Sequence, residues 1–363
     1  MSIPSKDIEK ILGNDVESIE INHKKKEIEI DNVRTRHSQL QDKKSQLEAI
    51  RNFNLGGDNS EFIKTVVQET EEYLLKAKNA KVFLNDDFRG KVPFFPRNVI
   101  LAAAETGVGK STICSNLATR AMLQKQRILI LTNEENVGDV YNRITCNIMG
   151  WAYVDHGSFT DEQRKKFSEM TPLLAQRIEV VGNSRNGLTG LTTTIEGVEQ
   201  VLNSIVKNDN KFDLIMVDYY QNIDKSTEFP HLSDWQVQYR FCKFIDQYKN
   251  ISPATIVILA QLKSSKDKEL PFKEAIEGRK TILNISTCAM RVTKDAEEKR
   301  TGFEIVKSRF TEGLGTTTYV GFNKGQYVPY TAEFRNEVEM SKLAKATQAV
   351  VGKQKLTNFN NEG

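Results

Sequence analysis

The chain of 363 residues is 39% hydrophobic and 27% charged, and it lacks an apolar run near the roughly 18 residues that a membrane-spanning helix needs. This composition argues against a membrane protein and against a wholly disordered chain, so we expect a soluble protein with one large domain and an appendage. Because 51 Lys and Arg residues face 48 Asp and Glu residues, the net charge is only +3, and any polyanion must bind a local basic patch.

Cysteine spacing and the N-terminus predict the compartment. The four cysteines lie tens of residues apart without a CxxC pair, which favours neither a disulfide framework nor a zinc site. They are Cys114, Cys146, Cys242 and Cys288. The first twenty residues contain no apolar core of a signal peptide, so we expect a protein of a reducing, cytoplasmic compartment.

The N-terminal region predicts two helices of different character. Residues 14–55 contain neither glycine nor proline and are rich in charged residues, which predicts a long polar helix there, within a helical or coiled-coil segment over residues 1–57. A short coiled coil, a solvated helix and disorder until a partner binds all stay open for this segment. Residues 58–81 predict an amphipathic docking helix, because Phe62, Val66, Tyr73 and Leu74 form an apolar stripe. The stripe fits packing on an adjacent domain, and it fits packing within the same chain as well.

From residue 82 the pattern changes to short apolar runs that alternate with helical segments. This alternation is typical of an α/β fold with a mostly parallel sheet covered on both faces. The predicted strands are Asn98–Ala103, Arg127–Thr132, Arg177–Val181, Leu214–Val217, Thr255–Leu259 and Gly302–Val306. A hairpin around Asn323-Lys324-Gly325 is predicted to close the sheet edge. We therefore expect a domain over residues 82–331, followed by a helix and a polar tail over 332–363.

The strongest motif is AETGVGKST, residues 104–112, between a predicted strand and a predicted helix. This order is typical of a P-loop, whose backbone N–H groups and helix N-terminus surround phosphates. We expect Lys110 to reach the β and γ phosphates and the Ser111 hydroxyl to bind Mg²⁺, although Ala104 replaces the usual first glycine. The predicted nucleotide-binding residues are Glu105, Thr106, Gly107, Val108, Gly109, Lys110, Ser111 and Thr112.

Polar side chains follow three other predicted strands. Asp218 ends the strand at 214–217, where open α/β sheets bind ligands, so we expect it to hold Mg²⁺ through a water; a helix-capping role is the alternative. Glu134 and Glu135 follow the strand at 127–132, and either one is placed to polarise an attacking water. Gln261 follows the strand at 255–259, where it is expected to sense the γ-phosphate and signal to the next loop.

Five motifs together resemble the RecA-like motor domain of the DnaB family of replicative helicases, over about residues 83–330. They are GVGKST, TNEEN, LIMVDYYQNI, ILAQLKSS and VKSRFTEGLGTTTYVGFN. The resemblance implies a homo-hexameric ring that hydrolyses ATP with Mg²⁺ while it translocates on single-stranded DNA. It also implies that Glu134 is the catalytic glutamate and Gln261 the sensor. Lys307 and Arg309 match the Lys-x-Arg element that reaches the nucleotide site of the next subunit.

The resemblance implies DNA binding by the segment from Lys263 to Lys280. Within it, Gly278, Arg279 and Lys280 are the best candidates, because a glycine lets the backbone approach a phosphate closely. The alternative for each individual lysine is an ordinary solvated surface.

The sequence also departs from the family. Residues 1–80 leave no room for the usual globular N-terminal domain, so its primase-docking role does not carry over. A compact helicase of phage or mobile-element type fits this arrangement, in a bacterial or phage-infected host cell. A primase or a helicase loader is the kind of protein partner that the family implies.

Two other functions stay open at this point. A RecA-like recombinase or repair ATPase would form filaments on DNA, and a nucleotide-regulated scaffold would assemble partners without unwinding. The combination of Lys110, Glu134, Asp218 and Arg309 argues against an inactive ATPase. Closed rings, filaments or monomers in the presence of ATP and single-stranded DNA would separate the three functions.

Overall fold

The computed structural model describes residues 60–78, 81–183, 194–209, 211–223, 230–263, 270–278, 280–309 and 313–344. The predicted polar segment of residues 1–57 and the tail after residue 344 lie outside the described residues. By contacts, the chain divides into two compact units, residues 1–72 and 73–363. The boundary falls inside helix α1, Ser60–Lys78, which is present where the sequence predicts an amphipathic helix.

The second unit alternates strands and helices, as the sequence predicts. Its strands are β1 (Val99–Ala104), β2 (Ile128–Asn136), β3 (Ile178–Asn183), β4 (Leu214–Asp218), β5 (Thr255–Gln261), β6 (Cys288–Asp295), β7 (Arg300–Ser308), β8 (Thr317–Asn323) and β9 (Gln326–Pro329). Its helices are α2 (Lys110–Leu123), α3 (Val137–Met149), α4 (Asp161–Ala175), α5 (Ile195–Lys207), α6 (Asp234–Ile251), α7 (Phe272–Ala275), α8 (Thr281–Ile285) and α9 (332–344). None of the described helices is both long and apolar enough to cross a membrane.

A single nine-stranded sheet organises this unit, in the order β3-β2-β4-β5-β1-β6-β7-β8-β9. The first six strands in this order are parallel, and the last three are joined antiparallel. The predicted α/β class with a mostly parallel sheet is confirmed. Because β2, β4, β5 and β1 are parallel neighbours, their carboxyl ends meet at one edge of the sheet.

The core lies on both faces of the sheet, since side chains alternate along each strand. In β1, Ile100 and Ala102 belong to the cluster that packs with α2 and α3. Leu101 and Ala103 belong to the opposite cluster, which includes residues of α5, α6 and α8. All four are fully buried, and this double burial explains why the strand is a continuous apolar run.

One central strand was not predicted. Strand β6 lies between β1 and β7, and its first residues Cys288, Ala289 and Met290 are fully buried. These residues are not β-branched, and the strand ends in the polar sequence TKD, so local propensity does not indicate it. The predicted strand at 302–306 is also longer than expected, as β7, and it runs antiparallel to β6.

The predicted edge hairpin is confirmed. Strands β8 and β9 pair through Asn323 and Gln326, with Lys324 and Gly325 as the two loop residues. Their φ angles of 46° and 86° are the positive values that a tight turn of this kind requires. Asn116 and Asn147 both donate side-chain hydrogen bonds to the carbonyl of Gly325, at 2.9 and 3.0 Å, so the hairpin is fastened to α2 and α3.

Candidate nucleotide site

The P-loop connects β1 to α2 at the carboxyl edge of the sheet. Gly107 and Gly109 have φ angles of 82° and 109°, which side chains rarely allow. Gly109 precedes the helix and has no side chain with which to cap it, so the N–H groups of the first turn are left for a ligand. An anion fits this position, because the helix dipole adds to these donors.

The remaining P-loop residues are arranged around this turn. Lys110 is buried, although it is a lysine, and its Nζ donates a long 3.5 Å hydrogen bond to Gln261 Oε1. The ammonium also lies 5.1 Å from the centre of the Tyr219 ring. Glu105 and Thr106 are exposed, Val108 packs against the core, and Ser111 and Thr112 are half-buried.

Asp218 ends β4, and β5 lies between β4 and the P-loop strand β1. Its side chain is 3% exposed, and its Oδ1 has no hydrogen-bond partner among the described residues. Burial, followed by the charges of Glu135 and Glu134, raises the pKa of Asp218 from 3.8 to about 7, while Lys110 and Arg143 act against this rise. A buried carboxylate oxygen without a partner in the described part of the chain, close to the P-loop, fits a divalent cation.

The two glutamates differ in their surroundings. They lie where the pairing of β2 with β3 becomes irregular, and both of their backbone N–H groups donate to the Thr132 hydroxyl, at 3.4 and 3.1 Å. Glu135 forms an ion pair of 2.5 Å with Arg143 of α3. Glu134 is exposed and has no ion pair among the described residues. The carboxylate of Glu134 is therefore the one left to meet a water.

Arg143 is a functional candidate that sequence reasoning missed. Its guanidinium lies 4.4 Å from the centre of the Tyr153 ring, which holds it against Glu135. Arg143 also opposes the rise in the pKa of Asp218. The only signal in the sequence is its spacing from Glu135, eight residues earlier, which carries meaning only once β2 and α3 are known to be adjacent.

Gln261 stands at the end of β5, where its side chain accepts from Lys110. Its backbone is held by a second glutamine: Gln221 Oε1 accepts from the Gln261 N–H at 3.2 Å, and Gln221 Nε2 donates to the Gln261 carbonyl at 3.1 Å. Gln221 follows β4 in the motif that resembles the helicases, but the sequence does not indicate its partners.

Lys307 and Arg309 lie at the other end of the parallel strands, where β1 and β6 begin, which we call the amino edge of the sheet. The Arg309 N–H donates to Thr287, and the Thr287 N–H donates to Val99, the first residue of β1. The P-loop follows the last of the six residues of β1, so the two edges are separated by about 16 Å. The structure therefore brings Lys110, Glu134, Asp218 and Gln261 together and leaves both cations away from them.

The cations of the opposite edge have local partners. Lys307 Nζ donates to the Leu283 carbonyl, and Arg309 donates to the Asn284 carbonyl at 2.7 Å. Burial, and then the charges of Arg309 and Lys249, lower the pKa of Lys307 below its ordinary value. Arg309 lines a cavity of about 510 Å³ together with Tyr239, Lys243, Asp246, Lys249, Thr281, Asn284 and Ile285.

The predicted DNA-binding residues follow a segment that begins beside Gln261. Gly278 has a φ of 75°, and a Cβ there would overlap the Gln238 side chain, so only glycine fits without a shift. Lys280 is exposed and immediately precedes α8. Arg279 lies outside the described residues.

Comparison with known proteins gives a family and a fold. A family model described as DnaB-like helicase C terminal domain matches residues 90–271, half of the chain. This range includes the P-loop, Glu134, Asp218 and Gln261, and it ends before the segment 278–280 and before Lys307 and Arg309. No curated protein gives a significant match in sequence.

Two solved structures are similar in fold. One is titled "The Structure Of A DnaB-Like Replicative Helicase And Its Interactions With Primase"; it is 15% identical, with a TM-score of 0.56, over 79% of this chain and 71% of that chain. The other is described as an ATPase domain, and it is 14% identical with a TM-score of 0.56, over 76% of this chain and 99% of that chain. At these identities the likeness concerns the RecA-like fold.

Proposed function

The chain belongs to the family of DnaB-like helicases, and from that premise we propose that it forms an ATP-hydrolysing ring that translocates on single-stranded DNA during replication. The observation that carries the proposal is the separation of the two sheet edges. Lys110, Glu134, Asp218 and Gln261 form a nucleotide site at one edge, while Arg309 lies at the other, which is about 16 Å away along the strands. A second copy of the chain is then the source of the missing cation.

The surface around Arg309 supports an interface between copies. Among the described residues, Lys243, Lys249 and Arg309 face the same cavity as a single carboxylate, Asp246. On the same helix, α6, Trp235 and Tyr239 are 53% and 38% exposed. A basic cavity beside exposed aromatic side chains complements the P-loop edge of another copy, where the glutamates and the nucleotide phosphates carry negative charge.

Each residue of the nucleotide site then has a chemical role. Lys110 and the α2 N-terminus bind the β and γ phosphates of ATP, Glu134 accepts a proton from the attacking water, and Gln261 orients the γ-phosphate. Ser111 and Asp218 would hold Mg²⁺, which would neutralise charge on the phosphates. In the ring, Arg309 and Lys307 of the adjacent copy stabilise the transition state from the other side.

The remaining assignments follow from the same proposal. The backbone at Gly278 and the side chains of Arg279 and Lys280 bind the DNA phosphates. Helix α1 exposes Leu74 and Leu75, each to 60%, which suits a linker helix that docks on an adjacent copy. One solved structure is titled for its interactions with primase, and we propose a primase or a helicase loader as the protein partner of this chain.

The proposal is tested by mixing two inactive variants. Arg309→Ala keeps an intact P-loop, and Lys110→Ala keeps Arg309, so about a quarter of the interfaces in a random equimolar ring contain both groups. We expect each variant alone to lose turnover by on the order of a thousandfold, and the mixture to regain measurable ATPase activity. Native mass spectrometry verifies that the rings contain both chains.

Controls separate the alternatives. Arg89→Ala removes an exposed arginine that is distant from Arg309 in the sequence, and it should leave turnover unchanged. If mixed rings show no recovery, each variant is added to the wild type at a low fraction. A steep loss then indicates obligatory coordination around the ring, whereas a loss proportional to the variant fraction contradicts the role of Arg309 in trans.

A further inference from the structure

We propose that Gln221 is a positioning residue that couples the nucleotide site to the DNA-binding segment. The inference rests on the proposed function, since it takes the P-loop edge as the ATP site and residues 278–280 as a DNA contact. In this inference, Gln221 makes the DNA affinity of residues 278–280 depend on which nucleotide is bound at the P-loop edge.

The first half of the connection joins Gln221 to the nucleotide site. Lys110 donates to the side chain of Gln261, and Gln221 bonds both backbone groups of the same residue, at 3.2 and 3.1 Å. A displacement of Gln261 toward or away from a phosphate therefore moves the partners of the Gln221 amide.

The second half joins Gln221 to the DNA-binding segment. Gln221 Nε2 also donates to the Glu277 carbonyl at 3.1 Å, and the Tyr220 hydroxyl donates to the same oxygen at 3.1 Å. The Glu277 N–H donates to the Gln261 carbonyl at 3.1 Å. The backbone immediately before Gly278 is thus fixed to Gln261 directly and through one side chain.

The contact after Glu277 makes this position sensitive to small shifts. Gly278 packs so closely on Gln238 of α6 that a Cβ would overlap the Gln238 Oε1. Tyr220 is fully buried and stacks on Phe241 of α6, with ring centres 6.0 Å apart. The residues that hold Glu277 are therefore anchored in the core, and close packing transmits a displacement instead of absorbing it.

A side chain occupies this position because β4 ends early. Strand β4 stops at Asp218, and residues 220–222 form a short 3₁₀ helix, whereas β5 continues to Gln261. An amide both donates and accepts, so Gln221 replaces the missing strand and still has a donor for Glu277. A carboxylate or an apolar side chain of similar size lacks this combination.

The experiment measures a thermodynamic cycle for the wild type and for Gln221→Ala. The affinity of a fluorescent oligothymidylate is determined with a nonhydrolysable ATP analogue and with ADP, and the affinity of each nucleotide is determined with and without the oligonucleotide. Coupling between two sites is reciprocal, so the ratio of the DNA affinities with the analogue and with ADP must equal the change in analogue affinity caused by DNA divided by the change in ADP affinity. We expect the wild type to show a factor of about five or more, and Gln221→Ala to show a factor near one.

Two further variants exclude a merely structural effect. Gln221→Glu keeps the acceptor for the Gln261 N–H but loses the donor to the Gln261 and Glu277 carbonyls, so it should be uncoupled like Gln221→Ala. Its cooperative thermal unfolding verifies that the variant is folded. Asn222→Ala changes the next residue of the same turn, whose side chain accepts a hydrogen bond from the Tyr219 hydroxyl and, among the described residues, bonds neither Gln261 nor Glu277, so it should keep the wild-type factor.

The outcomes distinguish this inference from the function on which it rests. A wild type that binds neither ATP nor single-stranded DNA contradicts the proposed function. A wild type that binds both with a coupling factor of one overturns the role of Gln221, as does a folded Gln221→Ala variant whose factor lies within twofold of the wild type.

Discussion

The two edges of the central sheet carry opposite charge and differ in completeness. At the carboxyl edge, Asp218 is buried beside two glutamates, and Lys110 is the one cation of the P-loop. At the amino edge, Lys249, Lys307 and Arg309 lie together near Asp246. The first edge has the groups that we propose bind a nucleotide, and the second has cations that outnumber the carboxylate described beside them.

This difference shows that the direction of a strand determines at which edge of the sheet the residues that follow it lie. Parallel strands deliver their following loops to one edge, so the residues after β1, β2, β4 and β5 converge there. Arg309 follows β7, which runs in the opposite direction, and it therefore emerges at the other edge. Under the proposed function, the nucleotide site is completed when the amino edge of one copy meets the carboxyl edge of another.

The largest expected effect comes from removing the cation of the carboxyl edge. Lys110→Ala should lower steady-state ATPase activity by on the order of a thousandfold or more, because the developing charge on the phosphates loses its main side-chain partner. It should also weaken nucleotide binding by the isolated chain. Lys307→Ala, at the other edge, should leave that binding unchanged. Turnover with single-stranded DNA and equilibrium binding of a fluorescent nucleotide measure the two effects.

The matched control for Lys110→Ala is Lys165→Ala, which removes a lysine from the exposed face of α4. Activity of Lys110→Ala within about threefold of the wild type, which corresponds to roughly 0.7 kcal/mol of barrier, would contradict the P-loop assignment. Loss of nucleotide binding in Lys307→Ala would contradict the division between the edges.

The second effect sharpens the description of the carboxyl edge. Glu134→Gln should keep nucleotide binding and lose turnover by about a hundredfold or more, since an amide does not accept the proton of the attacking water. Glu135→Gln should cost less, because its carboxylate is already engaged with Arg143. Single-turnover hydrolysis of radiolabelled ATP separates the two variants. The reverse order of effects would assign the base to Glu135.

The fold was predictable where one rule of local sequence sufficed. Strands β1 and β5 are continuous apolar runs, and the hairpin around Lys324 and Gly325 has the composition that its turn requires, so all of these were predicted. Strand β6 was missed because its place between β1 and β7 makes it a strand, and its own residues do not. Propensity reports a preference of the isolated segment, and burial on both faces overrides it.

The candidate site likewise contains residues that the sequence predicts and residues that it does not. The sequence predicts the residues that end strands, because one topological rule brings all of them to one edge. Arg143 and Gln221 were not predicted as contributors, since each acts through a partner that is distant in the chain and near in the fold. The position of Arg309 was also not predicted from the sequence, because it depends on β6 and on the antiparallel direction of β7.

The smallest expected effect concerns the free energy of unfolding, which the buried charge of Asp218 at the carboxyl edge lowers. Asp218 is buried near two like charges, and its pKa rises from 3.8 to about 7. Because the folded-state pKa lies above the unfolded-state value, the ionised form destabilises the fold. The cost is absent below about pH 4, grows as the pH rises, and is complete above about pH 7, where it amounts to at most about 4 kcal/mol.

Asp218→Asn removes this charge without changing the size of the side chain, so it should raise the melting temperature at pH 8 by about 5 °C, corresponding to roughly 2 kcal/mol. Thermal unfolding in EDTA without nucleotide measures the change, and at pH 5 the gain should be less than half as large. Asp213→Asn is the matched control, because Asp213 is exposed just before the same strand and accepts from the Arg127 N–H, which an amide oxygen also does. Since Asp218 is proposed to hold Mg²⁺, the stabilised variant should be inactive. An Asp218→Asn protein that is no more stable than the wild type at pH 8 would contradict the raised pKa of Asp218, because that rise already includes the opposing charges of Lys110 and Arg143.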